Sequence, residues 1–223
     1  MQRFFLTAAA VVMLASPLRA QDPAAVIDRA VVAYKSIRTM RGTFEQTLRN
    51  QLTGSMMTAR GDFEQQLPDR IAVLFTEPKG DRIIVNGATA WLYLPSTNPG
   101  QAYKVPAAAG GGSLNLTEQF LTAPAARFRM TSAGTARIGD RPTHAVTLIP
   151  RTPIGEFSQA IVWIDDETGL IRQFEITEPS GLIRRIRLID ARVNASIDPR
   201  SFSFTPPKGV QVIDQTGGRG GKD

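Results

Sequence analysis

The sequence predicts a mostly β protein, an antiparallel meander of short strands with a helical lid against it. From Thr43 onward apolar residues recur with a period of two, broken by turn signals at roughly ten-residue spacing. Ahead of this run stands one segment with helical periodicity. Third, the stretch Ile83 to Pro95, IIVNGATAWLYLP, is apolar at almost every position. A strand apolar on both faces is covered on both faces, so this hairpin requires a core on one side and a second apolar partner on the other.

Residues 1–20 read as a secretory signal peptide: Arg3, an apolar run from Leu6 to Leu14, and Ser16-Pro17-Leu18-Arg19-Ala20 ending in a small residue. The run is shorter than the roughly 18 apolar residues of a membrane anchor. The mature chain is then a soluble exported protein, a single domain over 21–214 with a disordered tail over 215–223. With no cysteine in the sequence, no disulfide staples it, and stability falls to core burial. The formal net charge of +6 drops to about +4 without Arg3 and Arg19, too mild and dispersed for a nucleic-acid binder.

Asp22-Pro23 opens a helix by capping, and Val26, Ile27, Ala30, Val31, Tyr34 and Ile37 form its apolar stripe. Gly42 closes it. Phe44, Gln46 and Leu48, then Gly61-Asp62-Phe63, then Ile71, Val73 and Phe75 mark the first strands. Asn86-Gly87 predicts a type I′ turn in the apolar hairpin. Pro106 to Gly112 reads as a flexible loop, without the Gly-Lys-Ser/Thr of a phosphate cradle. Asn115 to Leu121 is a short helix with an Asn115/Glu118 capping pair. Further strands follow around His144, Trp163, Phe174, Ile186 and Phe202 to Phe204.

No catalytic constellation emerges. His144 is the only histidine and reads as a half-buried strand residue, and few zinc sites are possible without cysteine. Asp165-Asp166-Glu167 reads as a solvated turn, and no serine sits in Gly-x-Ser-x-Gly. Neither a metal nor a cofactor is expected, and the chain is not read as an enzyme.

Taken in order, Gly61-Asp62-Phe63, Pro68-Asp69-Arg70, Phe75, Pro78, the IIVNGATAWLYLP hairpin, Gln101, the stretch IVWIDDETGLIRQFEITEPSG and the ending Phe202-Ser203-Phe204-Thr205-Pro206-Pro207-Lys208-Gly209-Val210 resemble the periplasmic outer-membrane lipoprotein carrier family, LolA. The resemblance implies an unclosed antiparallel β-barrel of roughly eleven strands with an α-helical lid, and an apolar cavity between sheet and lid for lipoprotein acyl chains. It implies a monomer that takes acylated lipoproteins from an inner-membrane ABC transporter to an outer-membrane receptor or membrane. The acyl-binding residues it suggests are Phe44, Phe63, Ile71, Val73, Phe75, Trp91, Tyr93, Phe120 and Trp163. Many members carry an arginine before the first Pro that latches the lid. Leu67 stands there in this sequence, and Arg70 is the nearby candidate. An alternative on the same fold is a lipid- or lipoprotein-sensing domain of an envelope-stress system.

Overall fold

A computed structural model describes residues 21–107, 115–155 and 157–217. The expected signal peptide, most of the Ala/Gly-rich loop and the end of the tail lie outside the described residues. Twelve strands form one open, curled sheet. In chain order they are β1 (Thr39–Asn50), β2 (Met56–Gln66), β3 (Arg70–Glu77), β4 (Arg82–Asn86), β5 (Thr89–Tyr93), β6 (Gln101–Pro106), β7 (Phe128–Ile138), β8 (Arg141–Pro150), β9 (Gln159–Asp165), β10 (Ile171–Thr177), β11 (Leu182–Val193) and β12 (Gln211–Asp214). The spatial order is β12-β6-β5-β4-β3-β2-β1-β11-β10-β9-β8-β7. Two antiparallel meanders, β1 to β6 and β7 to β11, thus meet along the β1–β11 seam. Among the described strands only β12 runs parallel to its neighbour, pairing Gln211 with Gln101 and Asp214 with Lys104. The sequence ending contains this twelfth strand, which the apolar pattern does not announce.

The sheet bends where its ladder is interrupted. The β1–β11 register shifts between Arg41 and Thr43, and the β2–β3 register between Arg60 and Gly61. A bulge adds a residue to one strand and increases local twist. Gly61 is also a point of close approach: a Cβ there would collide with the Leu74 carbonyl oxygen and stand 2.9 Å from both the Phe44 ring and the Phe75 Cα. The concave face gathers the main core, including Phe44, Phe63, Ile71, Val73, Val85, Phe128, Val146, Val162, Phe174, Ile186 and Leu188.

Two segments outside the sheet cover this face. Helix α1 (Pro23–Lys35) begins at Asp22, whose Oδ1 accepts a hydrogen bond from Ala24 N at 3.0 Å, and buries Val26, Ile27, Ala30 and Tyr34. The segment expected to be a regular short helix is instead a single π-helical turn, Thr117–Leu121, followed by the short helix α2 (Pro124–Arg127). Glu118 N does donate to Asn115 Oδ1 at 3.3 Å, as the capping pattern implies.

The hairpin β4–β5 differs from expectation in its turn. Asn86 pairs with Thr89, so the two-residue loop is Gly87-Ala88, with φ = 63° at Gly87 and none at Asn86 above zero. Glycine at the first central position is the requirement of a type II′ turn, rather than the type I′ that Asn-Gly suggests. Gly87 N is then free to donate to Asp69 O at 3.1 Å. The acidic turn also departs from its reading as solvated. Asp165 has a fully buried side chain, accepting hydrogen bonds from Arg141 Nε at 2.7 Å and Arg172 Nε at 2.9 Å. Backbone N–H groups of Glu167 and Thr168 complete its shell at 3.0 and 2.9 Å. A buried carboxylate is stable only when so paired.

Candidate acyl-binding space between sheet and lid

Side-chain alternation decides what each strand offers the lid. On β3, Ile71 and Val73 are buried in the concave core and Phe75 packs against it. Phe44 on β1 meets Phe75 edge-to-face at 5.4 Å between ring centroids. Phe63 comes from β2, and Phe120 from the π-helical turn, where it packs on Phe174 at 5.5 Å and on Phe157 at 6.0 Å. The structure therefore brings together Phe44, Phe63, Ile71, Val73, Phe75 and Phe120 from the expected set.

Trp91, Tyr93 and Trp163 lie elsewhere. Trp91 pairs across the ladder with Ile84, and both belong to a second, smaller cluster with Ala72, Phe202, Ile197 and Phe204. Phe204 stands 5.5 Å from the Trp91 ring and 5.6 Å from that of Tyr93. Arg82 lies over the Phe204 ring, 5.7 Å from its centroid. This is the convex face. The second apolar partner of the hairpin is thus the chain's own C-terminal segment, including the 3-10 turn Pro199–Phe202. The hairpin's concave contributors are Ile83, Val85, Ala90 and Leu92. On β9 the core residues are Ala160, Val162 and Ile164, so strand alternation turns Trp163 to the opposite face, beside Ala145. Sequence periodicity could not separate these faces, because both carry large apolar residues.

The expected latch at Arg70 is also displaced. Arg70 precedes Ile71 on β3, so it points to the convex side, and no hydrogen bond or ion pair holds it among the described residues. The lid is tied at the same corner by another residue: Asn115 Nδ2 donates to Pro68 O at 3.2 Å. Leu67 contributes packing against the core in place of a charged latch. Arg127 Nη1 braces the π-helical turn from behind, donating to Glu118 O at 2.7 Å and Thr122 O at 3.3 Å. At the other side α1 is held to the β9–β10 hairpin by Arg29, 3.6 Å from Asp166, which also bonds His144. Asn115 carried a sequence signal as a cap. Its bond to Pro68 carried none.

Beneath the lid a small gap remains, about 10 Å³, room for about one water. Met40, Phe63, Ile71, Leu116, Phe174 and Leu188 line it together with Gln65. A larger groove, about 630 Å³, runs along the convex face. Its walls include Arg41, Asp62, Glu64, Asp190 and Arg192, and such a charged lining is a poor host for hydrocarbon. The concave space has the right chemistry and is filled by the lid's own side chains, with Leu116 4%, Phe120 0% and Leu121 4% exposed. Among the described residues no group of three or more His, Asp or Glu side chains is arranged to hold a metal ion.

The family model of the outer membrane lipoprotein carrier protein LolA matches residues 35–205. An outer-membrane lipoprotein carrier protein of Alkalilimnicola ehrlichii is 25% identical over 91% of this chain and 90% of its own. One from Chromobacterium violaceum is 26% identical over 93% and 95%. Among solved structures, an uncharacterized conserved protein from Thermus thermophilus superposes with a TM-score of 0.50 at 13% identity, over 86% of this chain and 98% of its own. The Pseudomonas aeruginosa MucA/MucB complex gives 0.50 at 14% identity, over 86% of this chain and 63% of the other. These two likenesses concern the fold alone. With the family model spanning β1 to β11 and the π-helical part of the lid, the chain belongs to the outer membrane lipoprotein carrier protein LolA family.

Proposed function

We propose that this protein is a periplasmic carrier that shelters the acyl chains of lipoproteins between the concave sheet face and its lid. It takes them from an inner-membrane ABC transporter to an outer-membrane receptor or membrane, and residues 1–20 direct its export. The observation that supports this reading is the lid itself. An aromatic-rich concave face is covered by segments that share no ladder with the sheet and are tied down by few hydrogen bonds. Such a cover can lift while the sheet stays intact.

The energetics suit transfer rather than storage. Burying a methylene yields about 0.8 kcal/mol, so several long chains in an open apolar trough would bind almost irreversibly. Here cargo must first displace Leu116, Phe120 and Leu121 from full burial. That cost lowers net affinity, as it does for any ligand whose binding-competent state is a minority. Closure after delivery returns it.

Displacement of a fluorescent fatty acid by a diacylated lipopeptide tests the reading: the lipopeptide competes and its deacylated form does not. Absence of acyl-dependent competition overturns it. Val73→Glu, placing a charge on the concave floor, abolishes binding. Thermal unfolding of the same sample shows whether the fold persists, and Phe120→Ala on the lid provides a milder variant that opens the space. The sensor reading gains no specific support, because its structural likeness extends only to the fold.

A further inference from the structure

Gln65 is an anomaly in an otherwise apolar wall. It stands on the concave face of β2, between Met40 of β1 and Ile71 of β3 in the ladder, and is only 7% exposed. Its Nε2 is buried without a hydrogen-bond partner among the described residues. It borders the gap beneath the lid, with Leu116 as its lid-side neighbour in that lining. A buried donor left unpaired lowers stability, and methionine or leucine would fill the same volume without that cost. Its position also has a direction. Along the concave side of β2 the floor runs Gln65, Phe63, Gly61, from a polar group near the Leu67-Pro68 corner to an aromatic surface continued by Phe44 and Phe75.

We propose that Gln65 is a polar anchor for the head of the acyl chain: when the lid lifts, its Nε2 donates a hydrogen bond to the carbonyl of a carboxylic ester or amide. The inference rests on the carrier reading and sharpens it. The carbonyl lies under Asn115 and Leu116 at the lid corner, and the hydrocarbon runs along Phe63 toward Phe44 and Phe75. A pocket that satisfies its own buried donor through the ligand rejects an analogue lacking the acceptor. The cargo class is therefore carbonyl-linked acyl groups rather than long hydrocarbon in general.

The test uses a diacylglyceryl-cysteine peptide and its dialkyl ether counterpart, each displacing a dansyl fatty acid from the full mature chain. Wild type favours the ester peptide by about tenfold, the usual scale of one buried hydrogen bond. Gln65→Leu lowers ester affinity to that of the ether, leaves the ether unchanged and raises the melting temperature. Gln65→Met, closer in shape, does the same and guards against a packing effect. Equal affinity of wild type for both peptides, or equal weakening of both by the substitutions, overturns the anchor and leaves the carrier reading standing. Failure of both peptides to displace the probe from wild type overturns the carrier reading and the anchor with it.

Discussion

Asp165 shows how a single side chain can be misread from sequence. Three consecutive acids in a turn look solvated, yet the first is buried and held by two arginines that come from β8 and the start of β10. Burial alone raises its pKa, but hydrogen bonds from Arg141, the Thr168 backbone, Arg172 and the Glu167 backbone outweigh that and hold the carboxyl well below the usual range. Because the folded-state value is depressed, the stabilisation is fully present above the unfolded value of about 3.9 and is lost as the pH falls through the folded one. Asp165→Asn therefore unfolds less steeply than wild type below about pH 4 in an acid titration followed by circular dichroism. Asp165→Ala costs about 2 kcal/mol at neutral pH, less than a fully buried pair because the Arg141 and Arg172 side chains are partly exposed. Gly61 makes the opposite point. Its presence in the sequence is plain, whereas its reason, the Leu74 carbonyl on one side and the Phe44 ring on the other, depends on two neighbouring strands. Gly61→Ala destabilises by about 2 kcal/mol in denaturant unfolding, through overpacking.

Among the elements, the face of β3 was placed correctly and that of β5 was not. On β3 the neighbours Ala72 and Leu74 are apolar too, and Ala72 is itself buried on the other side, so the face came from the family resemblance and not from alternation. On β5 the large residues, Trp91 and Tyr93, pointed to the wrong face, because what covers them is a C-terminal segment far along the chain. Phe202→Ala separates the two faces experimentally: it costs about 3 kcal/mol in stability and shifts Trp91 fluorescence, while acyl-probe affinity per folded molecule is unchanged. The lid responds differently. Asn115→Ala removes the bond to Pro68 O and weakens the closed state by roughly 1 kcal/mol. Stopped-flow mixing with a fluorescent fatty acid then shows uptake several times faster. Arg70→Ala, by contrast, leaves uptake at the wild-type rate, as expected of a side chain on the convex side.

At the scale of the molecule, the antiparallel sheet with its cover was legible because alternation and turn spacing are local signals, while its unclosed barrel form came from the family resemblance. The bend was not, since it arises from register shifts between partners remote in sequence. The same remoteness governs assembly. The seam joining the two meanders pairs Met40 with Val193 and Asn50 with Leu182, so β1 lacks its second neighbour until β11 has been made. Contacts this distant slow folding, and an unpaired β1 edge is a template for aggregation in the meantime. The strap that follows β11 then crosses behind β3 to β5 and ends as β12 against β6. It covers the back of the hairpin and pairs the sheet's other edge in one movement. The strap is made after every strand it covers, so it is the segment that ends their exposed period. A truncation before Ile197 should reveal itself first as lost yield and a need for chaperones, even where the concave face retains every residue.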